Sequence, residues 1–258
     1  VYGTLEGLPT REPAFGLDAV WIDPAQRDYA RTLGYTVVDP STAIATHMNK
    51  VLRDNGAELL SHDETQKLLD KLATRSPKLV EELVPGKLSL GVVTRTLQNL
   101  LNEGVPIRDM RTIAEALMEA SARTQEPEML TNLVRPKLGR MIVQSLLENR
   151  STLAVMTLDP SLEQLLHNLL QQNANNANVV LEPGLAESLF SALRNSVRAV
   201  EEQGYPAVLV VSPQIRLWLA RAVRHRAHDL TVLSYSEIPD EQEVKVIQTI
   251  QVENRNKA

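Results

Sequence analysis

The chain has 258 residues, with 27 Lys+Arg against 32 Asp+Glu and a formal net charge of -5. It contains no Cys, which excludes disulfides, thiolate metal sites and a cysteine nucleophile. Aromatics at 3% and an acidic balance argue against a surface that stacks bases or tracks a phosphate backbone.

A composition of 43% hydrophobic and 23% charged residues is that of a soluble globular chain able to bury a core. No apolar run approaches the roughly eighteen residues of a membrane span, and no signal peptide is present. The first residue is Val1 rather than Met, which reads as a piece of a longer chain.

Ala19–Ile22 reads as a short strand. Asp23-Pro24 then starts a helix that stops at Gly34, and Tyr35–Val38 reads as a second strand. Asp39-Pro40 repeats the start signal for a helix whose inward face is Ile44, Met48, Val51 and Leu52. Two strand–helix units in tandem suggest a small α/β unit. Ala57–Leu60 is a short apolar segment. Ser61 with Glu64 forms a capping box for a helix through Leu72. A short helix spans Pro77–Val84, and Ser89 caps another that ends at Gly104.

Asp109 caps a helix to about Ala122, and a longer one spans roughly Pro127–Leu147, with Pro136 predicting a kink or break inside it. Leu153–Leu158 is a strand and Asp159-Pro160 starts a helix. Gln171–Asn178 is a mobile Gln/Asn-rich loop, and Pro183 begins a long helix stopped by Gly204. Ala207–Val211 reads as a buried central strand, followed by a helix from Ser212-Pro213 to about Ala227. Leu230–Leu233 is a core strand and Val244–Ile250 an alternating edge strand. Residues Glu253–Ala258 are predicted to be disordered. The fold class is α/β and α+β. Small α/β units flank a central helical module, and the C-terminal subdomain is a sandwich-like α/β layer.

Motifs for chemistry are sparse. There is no Walker loop, no G-x-G-x-x-G and no G-x-S-x-G. Ser212 precedes Pro213 and reads as a helix N-cap. His225 and His228 are spaced i, i+3 and could hold a metal with Asp229 or Glu237. The alternative is a pair of cations at a helix C-terminus. His47 reads as partly buried and His62 as solvated.

The helix from Pro213 carries Arg216, Arg221, Arg224 and Arg226 and no acid. Its readings are a solvated face, a basic patch that meets an acidic surface of another copy through Arg221 and Arg224, or a nucleic-acid surface. The acidic stretch Glu237–Glu243 is a counterpart to that patch or a hairpin loop. Leu59, Leu60, Leu83, Val84, Leu88 and Leu90 are either core or the lining of a groove beside the first small module.

Several stretches resemble one family. They are Thr10-Arg11-Glu12-Pro13-Ala14-Phe15-Gly16-Leu17 with Ala19-Val20-Trp21-Ile22, and Gly34-Tyr35-Thr36-Val37-Val38-Asp39 with Ala45-Thr46-His47. Further ones are Val105-Pro106-Ile107-Arg108-Asp109-Met110-Arg111-Thr112-Ile113, Leu181-Glu182-Pro183-Gly184-Leu185 and Val232-Leu233-Ser234-Tyr235-Ser236-Glu237-Ile238. Together they resemble, over essentially the whole chain, the C-terminal cytoplasmic region of the flagellar type III export-gate (FHIPEP) family. Injectisome relatives share the fold, but the Pro106–Thr112 stretch looks flagellar.

The resemblance implies a non-enzymatic, cofactor-free, metal-free domain at the cytoplasmic face of the bacterial inner membrane. It implies a membrane-embedded full-length protein whose cytosolic part forms a nonameric ring. The implied partners are flagellar export chaperones with their cargo, export ATPase components and other copies of the chain. Nucleic acid is not among them. It also implies four subdomains: residues 1–35 with 85–104, the remainder of a first subdomain that begins upstream; 36–84; 105–150; and 151–258. An apolar dimple for a chaperone helix is expected on Ala57, Leu59, Leu60, Leu83, Val84, Leu88, Leu90 and Gly91. Relatives often carry an acidic residue, a Phe and a Thr where this chain has Ala57, Leu60 and Gly91. That leaves an apolar floor and changes its polar rim. Pro136 is a further departure from the family pattern. A mainly structural, ring-assembling role is the alternative reading.

Overall fold

Aspartates ahead of prolines start helices in this chain. The computed structural model describes residues 3–14, 16–147, 150–172, 181–224, 226 and 230–252. In it the Asp23 and Asp39 carboxylates accept the amide protons of Ala25 and Thr42, each at 2.8 Å. The chain divides into two compact units, Val1–Leu60 and Ser61–Ala258.

The first unit opens with an antiparallel hairpin of β1 (Leu8–Arg11) and β2 (Asp18–Trp21), in which Leu8 faces Trp21 and Arg11 faces Asp18. The sequence reading found β2 and missed β1, whose Pro9 and exposed positions hide the strand pattern. Gly7 is required there, because a Cβ would lie 2.2 Å from the Trp21 carbonyl oxygen. A 3-10 turn, Pro24–Gln26, leads into α1 (Arg27–Thr32), and Gly34 at φ 86° ends it.

Tyr35–Val38 does not form the expected strand. A β-branched run becomes a strand only where a neighbouring edge pairs with its backbone. Here the Tyr35 hydroxyl donates to the Gly3 carbonyl instead, at 2.9 Å. Then follow α2 (Pro40–Asp54) and the single turn α3 (Gly56–Leu59). The tandem strand–helix unit is therefore a hairpin followed by helices. The α2 stripe expected to face inward is open: Ile44 is 62% and Met48 57% exposed, with Val51 and Leu52 also exposed. Periodicity groups these residues on one face and says nothing about what covers them.

The second unit begins with a helical bundle. Its helices are α4 (His62–Ala73), α5 (Pro77–Leu83), α6 (Leu90–Asn102), α7 (Met110–Ala120) and α8 (Pro127–Val134). Ser61 accepts the amides of Asp63 and Glu64, and the Glu64 carboxylate meets the Ser61 hydroxyl. Ser89 and Asp109 cap α6 and α7 through Val92 and Thr112. The core positions are fully enclosed, among them Leu69, Val93, Leu97, Leu100, Ile113, Leu117 and Leu130.

Pro136 breaks the long helix as expected. Arg135–Leu138 tightens into 3-10 geometry before α9 (Gly139–Leu147) resumes.

The remainder is a parallel sheet with the order β5-β4-β3-β6. Its strands are β3 (Leu153–Leu158), β4 (Val208–Val211), β5 (Thr231–Ser234) and β6 (Val244–Ile250). The helices α10 (Pro160–Gln172), α11 (Pro183–Glu202) and α12 (Pro213–Val223) supply the crossovers. Met156, Leu158, Leu209, Val211 and Val232 pack with these helices. The intervening Val155, Val208, Val210 and Leu233 are buried as well, on the opposite face, where α9 meets β3. Burial on both faces explains why β4 reads as a continuous apolar run.

The simple alternation expected for β6 fails. The register moves from Val155↔Val246 to Met156↔Gln248, so Ile247 is an extra residue in a bulge. Past it, Ile250 joins the core, while Val246 is 55% exposed. Residues 173–178 of the expected mobile loop and the expected disordered 253–258 lie outside the described residues.

Candidate functional site

The apolar segments expected to meet a partner fall in different units. Ala57 and Leu60 are buried and Leu59 is 60% exposed, on and just after α3 in the first unit. In the second unit Leu83 and Leu88 are fully enclosed core residues. They brace the turn between α5 and α6, where the Leu88 amide donates to the Leu83 carbonyl at 2.9 Å. Val84 and Leu90 are half-buried and Gly91 is exposed on the first turn of α6. A Cβ on Gly91 would meet only His62 Nε2 at 3.5 Å and Ser89 Oγ at 3.9 Å. The missing hydroxyl at this position is therefore not forced by lack of space. His62 and His47 are both exposed; His47 is not partly buried as its place beside the apolar stripe had suggested.

The arginines of α12 meet acidic neighbours within the same chain. Arg216 is 1% exposed rather than solvated. It pairs with Glu103, lies 3.6 Å from Glu237 Oε1, and donates from Nε to the Val232 carbonyl at 3.3 Å. Arg135 completes the cluster, with Nη1 2.8 Å from Glu103 and Nη2 2.7 Å from Glu237. Glu237 is not part of a solvated acidic loop. It is 1% exposed, and it also accepts from the backbone and hydroxyl of Ser234 in a capping box. Two guanidiniums thus face two carboxylates in a buried polar network, the arrangement that makes buried charge tolerable.

Sequence reasoning offered the Glu237–Glu243 stretch as a counterpart to the α12 arginines, and Glu237 does face Arg216; it missed Arg135 and Glu103. The available signal was a cation set within an apolar stripe: Arg135 beside Val134 and Leu138, and Arg216 between Ile215 and Leu219.

Further along α12, Arg221 pairs with Glu128 of α8, and burial pulls its guanidinium below the ordinary value, opposed by Glu126 and Glu103. Arg224 is exposed, and the Arg226 guanidinium lies 4.4 Å from the Phe190 ring centre. A shallow depression beside Arg221 and Arg224 is also lined by Asn99, Glu103, Glu128, Thr131 and Leu217. In the acidic stretch, Glu241 pairs with Arg140, and Glu243 accepts from Thr152 Oγ1 at 3.0 Å.

Ser212 holds the N-cap position of α12, but its side chain makes no capping bond. Its amide donates to Glu163 at 2.7 Å, and the other Glu163 oxygen accepts from the Tyr235 hydroxyl at 3.4 Å. Burial, with Glu163 adding to it, raises the Tyr235 phenol above its usual value. His225, His228 and Asp229, weighed as a metal site, lie outside the described residues. Among the described residues no group of three or more His, Cys, Asp or Glu is placed to hold a metal ion. Among them, too, no helix is long and apolar enough to cross a membrane.

Comparison with known proteins supplies what the geometry alone does not. The FHIPEP family profile matches residues 2–243. The chain is 43% identical over 248 residues to the flagellar biosynthesis protein FlhA of Escherichia coli (strain K12), covering 96% of this chain and 35% of that protein. It is 34% identical to the FlhA of Bacillus subtilis (strain 168), again over 248 residues, covering 96% of this chain and 37% of that one. The chain thus spans about a third of the length of these curated relatives.

Among solved structures, the Chlamydia pneumoniae CdsV protein superposes with a TM-score of 0.84 at 23% identity, over 95% of this chain and 70% of that one. At that identity the likeness speaks to the fold. Nonameric EPEC SctV-C superposes with a TM-score of 0.75 at 25% identity, over 88% of this chain and 68% of that one. The same mixed architecture, a small parallel sheet with a helical majority, recurs in these neighbours. With a family match that runs through nearly every described element, the chain belongs to the FHIPEP family.

Proposed function

We propose that this chain is part of a flagellar protein-export gate, where it forms a ring and serves as a docking platform for export chaperones carrying cargo. The observation that carries the reading is 43% identity to a flagellar biosynthesis protein across 96% of the chain. The ring is supported by nonameric EPEC SctV-C, and a second class of partner by the solved complex of CdsV with CdsO. Export ATPase components are proposed as that second class here. This chain is proposed to lie at the cytoplasmic face of the bacterial inner membrane, as part of a longer membrane-embedded protein.

A platform works by recognition and needs no catalytic group. An amphipathic chaperone helix meets exposed apolar side chains through a few anchors, and modest contact area keeps the complex transient. The residues proposed to offer such contacts are the exposed Leu59, with the buried Ala57 and Leu60 near it in sequence, in the first unit, and the half-buried Val84 and Leu90 with Gly91, flanked by the buried Leu83 and Leu88, in the second. Self-association is assigned to Arg221 and Arg224. A mainly structural ring role is the competing reading, favoured by the exposed position of Arg224 at the end of α12.

The test is a pull-down of flagellar chaperones, with and without cargo, on the immobilised chain. Retention of a chaperone–cargo complex, lost in Leu59→Asp, is the expected result. No retention of any chaperone by a folded, ring-forming chain overturns the platform in favour of the structural reading.

A further inference from the structure

Within the second unit the chain crosses only once from the bundle, α4–α8, to the α/β half, α9–α12 with β3–β6. It does so through Arg135–Leu138. Each side of this crossing has its own packing. Helix α8 lies against α6 and α7. The apolar cluster of the α/β half, from Met156 to Ile250, draws only on residues of that half. Past the crossing, Gly139 touches the Glu237 backbone and Arg140 pairs with Glu241, so α9 is tied to the α/β half.

The seam itself is bridged by charge. Glu103, at the end of α6, is gripped by Arg135 of the connector and Arg216 of α12. Asn132 of α8 accepts from Arg216 at 3.5 Å, and Glu128 of α8 pairs with Arg221. The backbone beside these groups is suited to bending. Glu103 precedes Gly104 at φ 71°, and Arg135 precedes Pro136, which supplies no amide to the helical ladder. Glu103 is also the member of the cluster nearest solvent, with its side chain 21% exposed against 1% for Arg135, Arg216 and Glu237.

We infer that this seam is a charge-clamped hinge: Glu103 is the latch, held by Arg135 and Arg216, and its release lets the bundle pivot about residues 135–138. Apolar packing of similar volume would hold the halves at least as firmly as buried charge. A charge clamp differs in having two discrete states, engaged and released, which is what a hinge requires. Its release would carry the α4–α6 surface, with Leu90 and Gly91, relative to the α/β half. The inference does not depend on which partner that surface meets.

The chain has no Cys, so two introduced cysteines are its only thiols. Spin labels at Lys71→Cys on α4 and Asn195→Cys on α11, both exposed, report the separation of the two halves by pulsed electron resonance. Asn195→Cys with Lys245→Cys, both in the α/β half, is the reference pair. Adding Glu103→Gln is expected to broaden the seam distance distribution by about twofold or to add a second population, with the reference pair unchanged. Glu128→Gln, whose partner Arg221 is half exposed, is the milder second variant, and a smaller broadening confined to the seam pair is expected. An unchanged seam distance in both variants overturns the hinge. So does equal broadening of seam and reference pairs, or failure of Glu103→Gln to fold, since either marks the cluster as purely structural.

Discussion

Gly139 and Glu237 meet backbone to backbone: a Cβ on Gly139 would lie 2.1 Å from the Glu237 carbonyl oxygen. The residue that opens α9 is thus fixed by a turn almost a hundred positions away. Gly139→Ala is expected to destabilise the chain by about 2–3 kcal/mol, because the clash is with backbone and cannot be relieved by a rotamer change. Urea denaturation checks it. An unshifted midpoint would mean that the turn yields freely.

Arg135 and Glu237 are both about 1% exposed and joined at 2.7 Å. Removing one partner strands the other. Arg135→Met is expected to cost about 3–5 kcal/mol. Glu237→Gln in the same chain should recover part of that loss, since the carboxylate oxygen that Arg135 neutralised is then gone, while Arg216 keeps Glu103. A double-mutant cycle in urea measures the coupling. Strictly additive losses would show that the pair does not act as one.

Leu59 and Leu60 adjoin but differ in exposure, at 60% and 7%. Leu60→Asp is expected to cost about 2–5 kcal/mol or more, through lost burial and a desolvated carboxylate. Leu59→Asp should stay within about 0.5 kcal/mol of the parent. Leu59→Asp is therefore the variant that separates lost chaperone binding from lost folding. Circular dichroism with calorimetric titration distinguishes them.

Asp39 sits at the N-terminus of α2, and hydrogen bonds from the Ser41 hydroxyl and from Thr42 hold its carboxyl at about 2, below the ordinary 3.8. A depressed carboxyl stabilises the fold in its ionised form. The contribution is complete above about pH 3.8 and disappears as pH falls through about 2. The Thr42 amide resonance is expected to titrate in that window, with fraying of the first turn of α2. Asp39→Asn, which keeps a capping oxygen, should retain the helix and abolish the titration.

Arg224 is exposed at the end of α12, whereas Arg221 is paired with Glu128. Arg224→Glu is accordingly the cleaner test of self-association. A lower sedimentation coefficient at low salt, with unchanged thermal stability, is the expected outcome. Unchanged sedimentation would remove Arg224 from the interface.

The helix starts were legible because their cause is local. Asp39, Ser61, Ser89 and Asp109 each bond an amide within the next few residues, and Gly34, Gly104 and Gly204 each adopt the positive φ that ends a helix. The break at Pro136 was legible for the same reason. What failed depends on distant neighbours. Among the described residues no strand pairs with Tyr35–Val38, β6 carries a bulge opposite Val155 and Met156, and the α2 stripe is open. The arginines of α12 were visible as a cluster, but their partners on α6 and α8 lie 84 or more positions away for Arg216. A one-dimensional reading could therefore place the charges and, of the acids that neutralise them, only Glu237, while Glu103 and Glu128 went unseen. The identity of the family was legible in whole stretches, such as Pro106–Thr112, that no single physical rule selects.

The waist at Arg135–Leu138 has a geometric effect of its own. A 3-10 turn holds 3.0 residues against 3.6 in an α-helix, so each residue advances about 20° further around the axis. Over the four residues of the waist the phase moves by roughly 80°. The side chains of α9 are thereby wound out of line with those of α8. Helix α8 can then bury Leu130 and Val134 on one side of the waist, and α9 can bury Ile142 and Val143 on the other. A single proline thus lets two successive helices serve two different cores.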